Sequence, residues 1–142
     1  MLVVKVGGSG SVYVAARPLV CVRGVCEYQL WTSKFDAYGN RLWTNATVAE
    51  GPIYQPGSRV WPLGLSDVED LWVTVSGPGA VGTVDYTTTR YNSNGVKQSV
   101  RSYDGPWGGN DLSRAVTVDK NGNAFVTGFS RGSVGNDFAT VK

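Results

Sequence analysis

The sequence predicts an all-β protein made of about three copies of a small antiparallel sheet, and three observations lead to this fold class. The segment YQLWTSKFDAYG at 28–39 returns 56 residues later as VDYTTTRYNSNG at 84–95. Within the second copy, DYTTTR at 85–90 returns once more as DFATVK at 137–142. The stretches between these landmarks are short, rich in Val and Thr, and bounded by turn residues. A fixed period of this length is typical of repeat architectures, in which neighbouring units cover one another.

The composition agrees with this fold class and argues against one class of partner. The chain has 142 residues, of which 19 are glycine, and aromatic residues make up 11%. Glycine-rich turns with aromatic and β-branched strands are typical of sheets. Charged residues make up only 17%, and the formal net charge is +2. Because this charge creates no large electrostatic field, we expect no nucleic-acid partner.

The repeating unit is interpreted as four strands in chain order, of which the third copy contains three. In the first unit we predict strands at 2–6, 11–17, 27–35 and 41–48. In the second unit we predict strands at 58–63, 70–76, 84–91 and 97–103. The third unit has predicted strands at 114–119, 124–130 and 137–142, and no fourth. The approximate unit boundaries are therefore 1–50, 51–104 and 105–142.

The hydrophobic pattern of the strands indicates how the units are arranged. The second strand of each unit is apolar on both faces, as in Leu71-Trp72-Val73, which is typical of a strand covered from both sides. The third strand alternates between apolar and polar residues and is expected to be more exposed. Radial packing of four-stranded blades produces such a gradient, so we predict β-propeller blades in an incomplete ring of about three.

An incomplete ring requires a partner. Propellers typically close with about four to eight blades. We therefore expect further copies of the chain, or further blades of a longer protein, to complete it. A dimer would supply about six blades and a trimer about nine.

The two cysteines favour a disulfide. Cys21 and Cys26 bracket Val22-Arg23-Gly24-Val25. If Arg23-Gly24 is a two-residue hairpin turn, Val22 faces Val25 and the cysteines form the next cross-strand pair, at a separation that a disulfide accepts. The alternative is a reduced pair of small buried side chains. A zinc site is disfavoured, because the chain has no histidine and two thiols do not complete one.

The sequence shows no segment that would span a membrane. No window approaches the roughly 20 consecutive apolar residues of a spanning helix. The N-terminal segment at 1–5 also lacks the long apolar stretch of a signal peptide. Three interpretations stay open: a cytoplasmic protein, a mature chain whose leader was removed, or part of a longer protein.

Two patterns resemble a known repeat family. An aromatic residue followed by Asp or Asn and then, three residues on, by Gly ends strands at 35–39 and 91–95. Residues 114–128 spell Arg-apolar-Val-x-Val-Asp-x-x-Gly-Asn-apolar-aromatic-Val-Thr-Gly. On these residues the chain resembles the SBBP, or β-propeller repeat, family. The resemblance is closest over 85–142, looser over 28–84, and the first copy departs by its cysteine insertion.

The resemblance carries expectations about place and activity. It implies a propeller of the kind found on secreted or surface proteins, usually without a recognised activity of its own. With the cysteine pair, it leads us to predict an extracellular or cell-surface location.

Four residues are candidates for ligand binding. Arg59 and Arg114 hold equivalent places at the entry of the innermost strand, where a ring of guanidinium groups would bind an anion or a carboxylate. The alternative is a structural pair with a neighbouring blade. Trp61 and Trp107 lie near the same predicted end and would stack on a sugar, or else pack between blades.

No metal or cofactor site is predicted. Asp119-Lys-Asn-Gly-Asn123 resembles the start of a calcium loop, but it lacks the closing Glu and is explained by turn chemistry between two strands. The Gly-Asn-Asp triplets at 109–111 and 135–137 are interpreted in the same way. Asn45-Ala-Thr47 fits a glycosylation acceptor, a triplet that is common by chance.

Catalysis is not predicted either. Serine or cysteine nucleophiles activated by histidine are excluded, because the chain contains no histidine. Asp67, Glu69 and Asp70 cluster in a predicted turn, where solvated carboxylates are common, although glycoside hydrolysis needs only two carboxyl groups.

Three functions follow from these expectations. The favoured one is a non-catalytic binding or structural module, a self-assembled or extended propeller with a carbohydrate or protein ligand. The second is a propeller enzyme that acts on carbohydrate through carboxylates near the axis. The third is a subunit of an extracellular polymer joined head to tail.

Overall fold

The computed structural model describes residues 2–16, 18–48, 62–79 and 82–142, and these residues form twelve β-strands and no α-helix. The strands are Leu2–Val6 (β1), Val12–Ala16 (β2), Leu19–Val22 (β3), Val25–Phe35 (β4), Arg41–Val48 (β5), Leu63–Leu65 (β6), Leu71–Pro78 (β7), Val84–Tyr91 (β8), Lys97–Tyr103 (β9), Leu112–Val118 (β10), Ala124–Arg131 (β11) and Asn136–Val141 (β12). The predicted all-β class is thus confirmed. The predicted strand at 58–63 lies mostly outside the described residues, and β6 shares only Leu63 with it and continues to Leu65.

The strands form three antiparallel sheets that follow one another along the chain. The first pairs β1, β2, β4 and β5 in that order, with β3 added as a hairpin on the first half of β4. The second has the order β6-β7-β8-β9, and the third has the order β10-β11-β12. Apart from the β3 hairpin, each sheet therefore pairs its strands in chain order, and among the described residues this hairpin is the one addition to the predicted strand pattern.

The tight turns explain why the chain reverses where the sequence indicates. In three turns an Asp or Asn side chain accepts hydrogen bonds from the backbone amides two and four residues later in the chain. The glycine three residues after the Asp or Asn has positive φ. The pairs are Asp36 with Gly39, Asn92 with Gly95, and Asp119 with Gly122. The Asp119 carboxylate is thus engaged by its own turn, and hydrogen bonds from Asn123 lower its pKa.

One side-chain contact repeats in all three sheets. A cationic side chain at the end of one strand lies over an aromatic ring on the strand beside it, within the range of a cation–π interaction. The pairs are Lys34 with Tyr13 at 5.1 Å, Arg90 with Trp72 at 5.3 Å, and Lys142 with Phe125 at 5.8 Å. The three repeats are therefore structurally equivalent at this position.

The sheets pack against one another in chain order. The core cluster joins the first sheet to the second through Tyr13, Ala15, Leu30, Leu63, Leu71, Val73 and Tyr91. The second sheet meets the third where β6 lies against β10: a Cβ on Gly64 would lie only 2.8 Å from Cγ2 of Val118. Strand β6 also contacts β1, so the first strands of the three sheets are neighbours.

Burial of the second strands differs from the prediction in two of the three sheets. In β7, Leu71, Val73 and Thr74 are buried and Trp72 is half-buried, as expected for a strand covered on both sides. In β2 and β11 only alternate residues are buried. The reason is that β7 belongs to the middle sheet, whereas no described residues cover the outer faces of the first and third sheets.

Candidate functional site

The structure places the predicted ligand-binding residues as follows. Arg59 and Trp61 lie outside the described residues. Arg114 is half-buried on β10, and its guanidinium carbon lies 5.5 Å from the ring centre of Phe129. Trp107 is 62% exposed in the turn between β9 and β10. Arg114 thus has a structural aromatic partner, and Trp107 offers an open aromatic face.

The predicted disulfide is confirmed. Cys21 and Cys26 are bonded, with their Cα atoms 4.0 Å apart, and they face each other in the β3–β4 register next to the Val22–Val25 pair. The turn between the strands has φ of 52° at Arg23 and 83° at Gly24, as the two-residue hairpin requires.

Loss of this disulfide is expected to destabilise the protein by about 2 kcal/mol, because the bond closes a short loop within one hairpin. Urea denaturation of the wild type with and without reductant measures the effect. The Cys21→Ser, Cys26→Ser double variant should match the reduced protein and be insensitive to reductant. Complete unfolding on reduction would contradict this expectation, since the hairpin would then be part of the global core.

A groove of about 600 Å³ lies between the second and third sheets. It is lined by Trp72, Tyr86, Thr88, Ser99, Arg101, Ser102, Tyr103, Gly122, Asn123, Ala124, Val126, Val141 and Lys142. Burial raises the pKa of Tyr86 to about 12, with Asp111 and Tyr103 adding to the effect, so its hydroxyl stays protonated. Aromatic faces beside hydroxyl, amide and cationic groups suit a sugar or a peptide.

The carboxylates of the predicted turn at 67–70 do not act together. Glu69 is buried and accepts hydrogen bonds from Ser9, from Tyr13 at 3.1 Å and from Lys34 at 2.9 Å. Burial alone would raise the pKa of Glu69, but the hydrogen bonds from Ser9 and Lys34 outweigh it and lower the pKa to about 2.

Its neighbour Asp70 is also buried and pairs instead with Arg90, whereas Asp67 is exposed. The expectation of solvated turn carboxylates was therefore wrong for Glu69 and Asp70. Both residues find cationic partners on other strands, Lys34 on β4 and Arg90 on β8.

Three other carboxylates converge at the junction of the second and third sheets. Asp85 is at the start of β8, Asp104 directly follows β9, and Asp111 directly precedes β10. Ligand oxygens of the three residues all lie within 4.8 Å of one another. Asp85 and Asp111 are buried, at 6% and 0% exposure, while Asp104 is exposed.

The backbone holds Asp111 firmly in this cluster. Its carboxylate accepts hydrogen bonds from the amides of Gly105 at 2.7 Å and Arg131 at 3.2 Å. Its own amide donates to the carbonyl of Val84 at 2.5 Å. Burial, and then the Asp104 and Asp111 carboxylates, raise the pKa of Asp85.

The sequence did not indicate this cluster, although it contained a signal. Asp85 was recognised only as a repeat landmark, and Asp111 only as part of a turn triplet. In an antiparallel sheet the start of one strand and the end of the next lie at the same end of the sheet. The third sheet begins next to this end of the second sheet, with Asp111 just before β10. Asp85, Asp104 and Asp111 therefore lie close together.

The chain matches no protein-family model, and no curated protein is similar enough to count as a relative. Among the described residues, no helix has the length and apolar character needed to cross a bilayer.

Proposed function

We propose that this chain is a non-catalytic β-propeller module of the SBBP type, an extracellular binding or structural scaffold whose ring is completed by self-assembly. One observation carries the proposal: the first and third sheets present exposed apolar residues that no neighbouring sheet of the described structure covers. The second strands of these two sheets, β2 and β11, carry the same two-sided apolar pattern as β7, which is covered on both sides.

The open face of the first sheet is formed mainly by β1. Leu2, Val4 and Val6 are 63%, 50% and 68% exposed, whereas Val3, between them, packs against the core. The residues opposite them on β2 are half-buried and apolar as well. A contiguous exposed apolar face of this kind marks an interaction surface.

The open face of the third sheet lies at the other end of the stack. Phe129 of β11 and Phe138 of β12 stand opposite each other in register and are 46% and 85% exposed. Thr127 and Thr140 continue this face, joined by a hydrogen bond of 2.9 Å between their hydroxyls. Open faces at opposite ends allow copies to join head to tail, and such an assembly closes into a ring when the rotation between copies permits it.

The order of the sheets supports a radial arrangement. The neighbouring first strands, the well-buried β7 and the exposed β9 agree with blades that fan outwards from an axis. The interblade groove with Trp72, Tyr86 and Tyr103 would then bind a carbohydrate or protein ligand at the outer surface. The disulfide agrees with an extracellular location.

We expect this chain to form a closed homo-oligomer in solution, measurable by size-exclusion chromatography with light scattering. Val4→Lys and Phe138→Lys place a charge on each open face and should shift the oligomer to monomer. Val134→Lys, at a loop position that is 100% exposed, is the matched control and should leave the assembly unchanged.

Two other results would redirect the proposal. A stable wild-type monomer would contradict the assignment of the open faces as interfaces between copies. A polydisperse or fibrous species would favour a head-to-tail polymer joined through the outer edge of β12, which among the described residues has no strand beside it.

A further inference from the structure

The carboxylate cluster at the junction of the second and third sheets carries negative charge that no ion pair among the described residues offsets. Asp85, Asp104 and Asp111 come from three separate segments and bring their oxygens within 4.8 Å of one another. Among the described residues, the ion pairs are Lys34 with Glu69 and Arg90 with Asp70, and neither involves this cluster. Like charges held this close, two of them buried, repel strongly unless a counter-charge is present.

A buried hydroxyl beside the cluster is a second, independent observation. Ser130 on β11 is 5% exposed, and its Oγ atom has no hydrogen-bond partner in the described structure. A Cβ on Gly105 would lie 2.2 Å from Ser130 Oγ and 2.8 Å from Asp111 Oδ1. The hydroxyl therefore faces the same small space as the Asp111 carboxylate, and that space stays open because residue 105 is glycine.

The spacing of these oxygens suits a large, hard cation. Calcium takes about six to eight oxygen ligands at roughly 2.3 to 2.6 Å, so two ligands of one ion lie at most about 5 Å apart. The separation of 4.8 Å or less among the carboxylates falls within this limit. Zinc is a poorer match, because the chain has no histidine and both of its cysteines are in the disulfide.

We propose that Asp85, Asp104, Asp111 and Ser130 form a divalent-cation site of the calcium type between the second and third sheets. The three carboxylates supply charge, Ser130 supplies a neutral oxygen, and water on the exposed Asp104 side completes the coordination shell. Because its ligands come from β8, β11 and the β9–β10 connection, the ion cross-links two sheets. This site is independent of self-assembly and would work in a monomer.

Calcium titration of chelator-treated, dialysed protein by isothermal calorimetry tests the site. We expect one ion per chain, with a dissociation constant on the order of 10⁻⁴ to 10⁻³ M or tighter, as in extracellular modules. Millimolar calcium should raise the melting temperature, and magnesium at the same concentration should raise it less. Absence of both binding heat and a melting shift would overturn the proposal.

Two matched variants identify the ligands. Asp104→Asn changes an exposed side chain, so it should leave the calcium-free fold intact while weakening binding by roughly tenfold or more. Asp137→Asn is the control, because Asp137 is the exposed repeat equivalent of Asp85 and lies outside the cluster. Equal loss in both variants would mean diffuse surface binding and would also overturn the site.

Discussion

Gly128→Ala is expected to lower the free energy of unfolding by about 2 to 3 kcal/mol. A Cβ at this position would lie 2.1 Å from the carbonyl oxygen of Leu112 and 2.8 Å from the hydroxyl oxygen of Tyr86. The first contact is with the backbone of β10, which pairs with β11 at this point and cannot withdraw without breaking the ladder. Urea denaturation followed by circular dichroism measures the change.

A matched glycine separates this effect from the general cost of adding a methyl group. At Gly135 a Cβ would meet nothing within 4 Å, so Gly135→Ala should change stability by no more than about 0.5 kcal/mol. The equivalent position of the second unit is occupied by Val75, so the repeat pattern itself does not require glycine at this position. Equal stability of the two alanine variants would show that β10 and Tyr86 yield more easily than the packing indicates.

Replacing Glu69 is the second change with a large expected effect. Glu69→Gln should destabilise the protein by about 3 kcal/mol, because it leaves Lys34, which is 8% exposed, without its carboxylate partner. The hydrogen bonds from Ser9 and Tyr13 would also become weaker, since their acceptor is no longer charged. Asp67→Asn, in the same turn but exposed, is the control and should have little effect on stability.

The pH dependence of stability distinguishes this charge from simple packing. The pKa of Glu69 falls from its ordinary value of 4.5 to about 2 in the folded protein, so the unfolded chain takes up the proton first. Its stabilising contribution is therefore complete above about pH 4.5 and is lost as the pH falls towards 2. Denaturation midpoints at neutral and acidic pH should show this loss, on the order of 2 to 3 kcal/mol, in the wild type.

The Glu69→Gln variant should lack this share of the acid sensitivity. Lys34 behaves in the opposite sense. Because its pKa is raised in the folded protein, its stabilising contribution is complete below about pH 10.5 and is lost as the pH rises further. An identical acid profile for wild type and variant would contradict the role assigned to the Glu69 carboxylate.

Local features of the fold followed from the sequence, because they depend on neighbouring residues. The hairpin turn at Arg23-Gly24 places the cysteines opposite each other without help from the rest of the chain. Strands β8 and β9 coincide with the predicted ranges, since Asn92 and Gly95 define the turn between them. The fold class followed in the same way from repeated local patterns.

Features that depend on distant partners could not be predicted. Glu69 looked like a solvated turn residue because its partner Lys34 lies on another sheet. The cluster of Asp85, Asp104 and Asp111 forms only when the second and third sheets pack together. Burial of β2 on one face alone was likewise unpredictable. Its apolar pattern indicates that both faces are covered, but it does not indicate which part of the protein or which partner covers them.

The order of the strands has a consequence for how the chain folds. In the second and third sheets every pairing joins strands that are consecutive in the chain, so these ladders form by short loop closures at low entropic cost. We therefore expect the second and third sheets to nucleate early and independently of each other. Docking of one sheet onto the next, through side chains such as Tyr13, Tyr86 and Ser76, then becomes the slow, cooperative step.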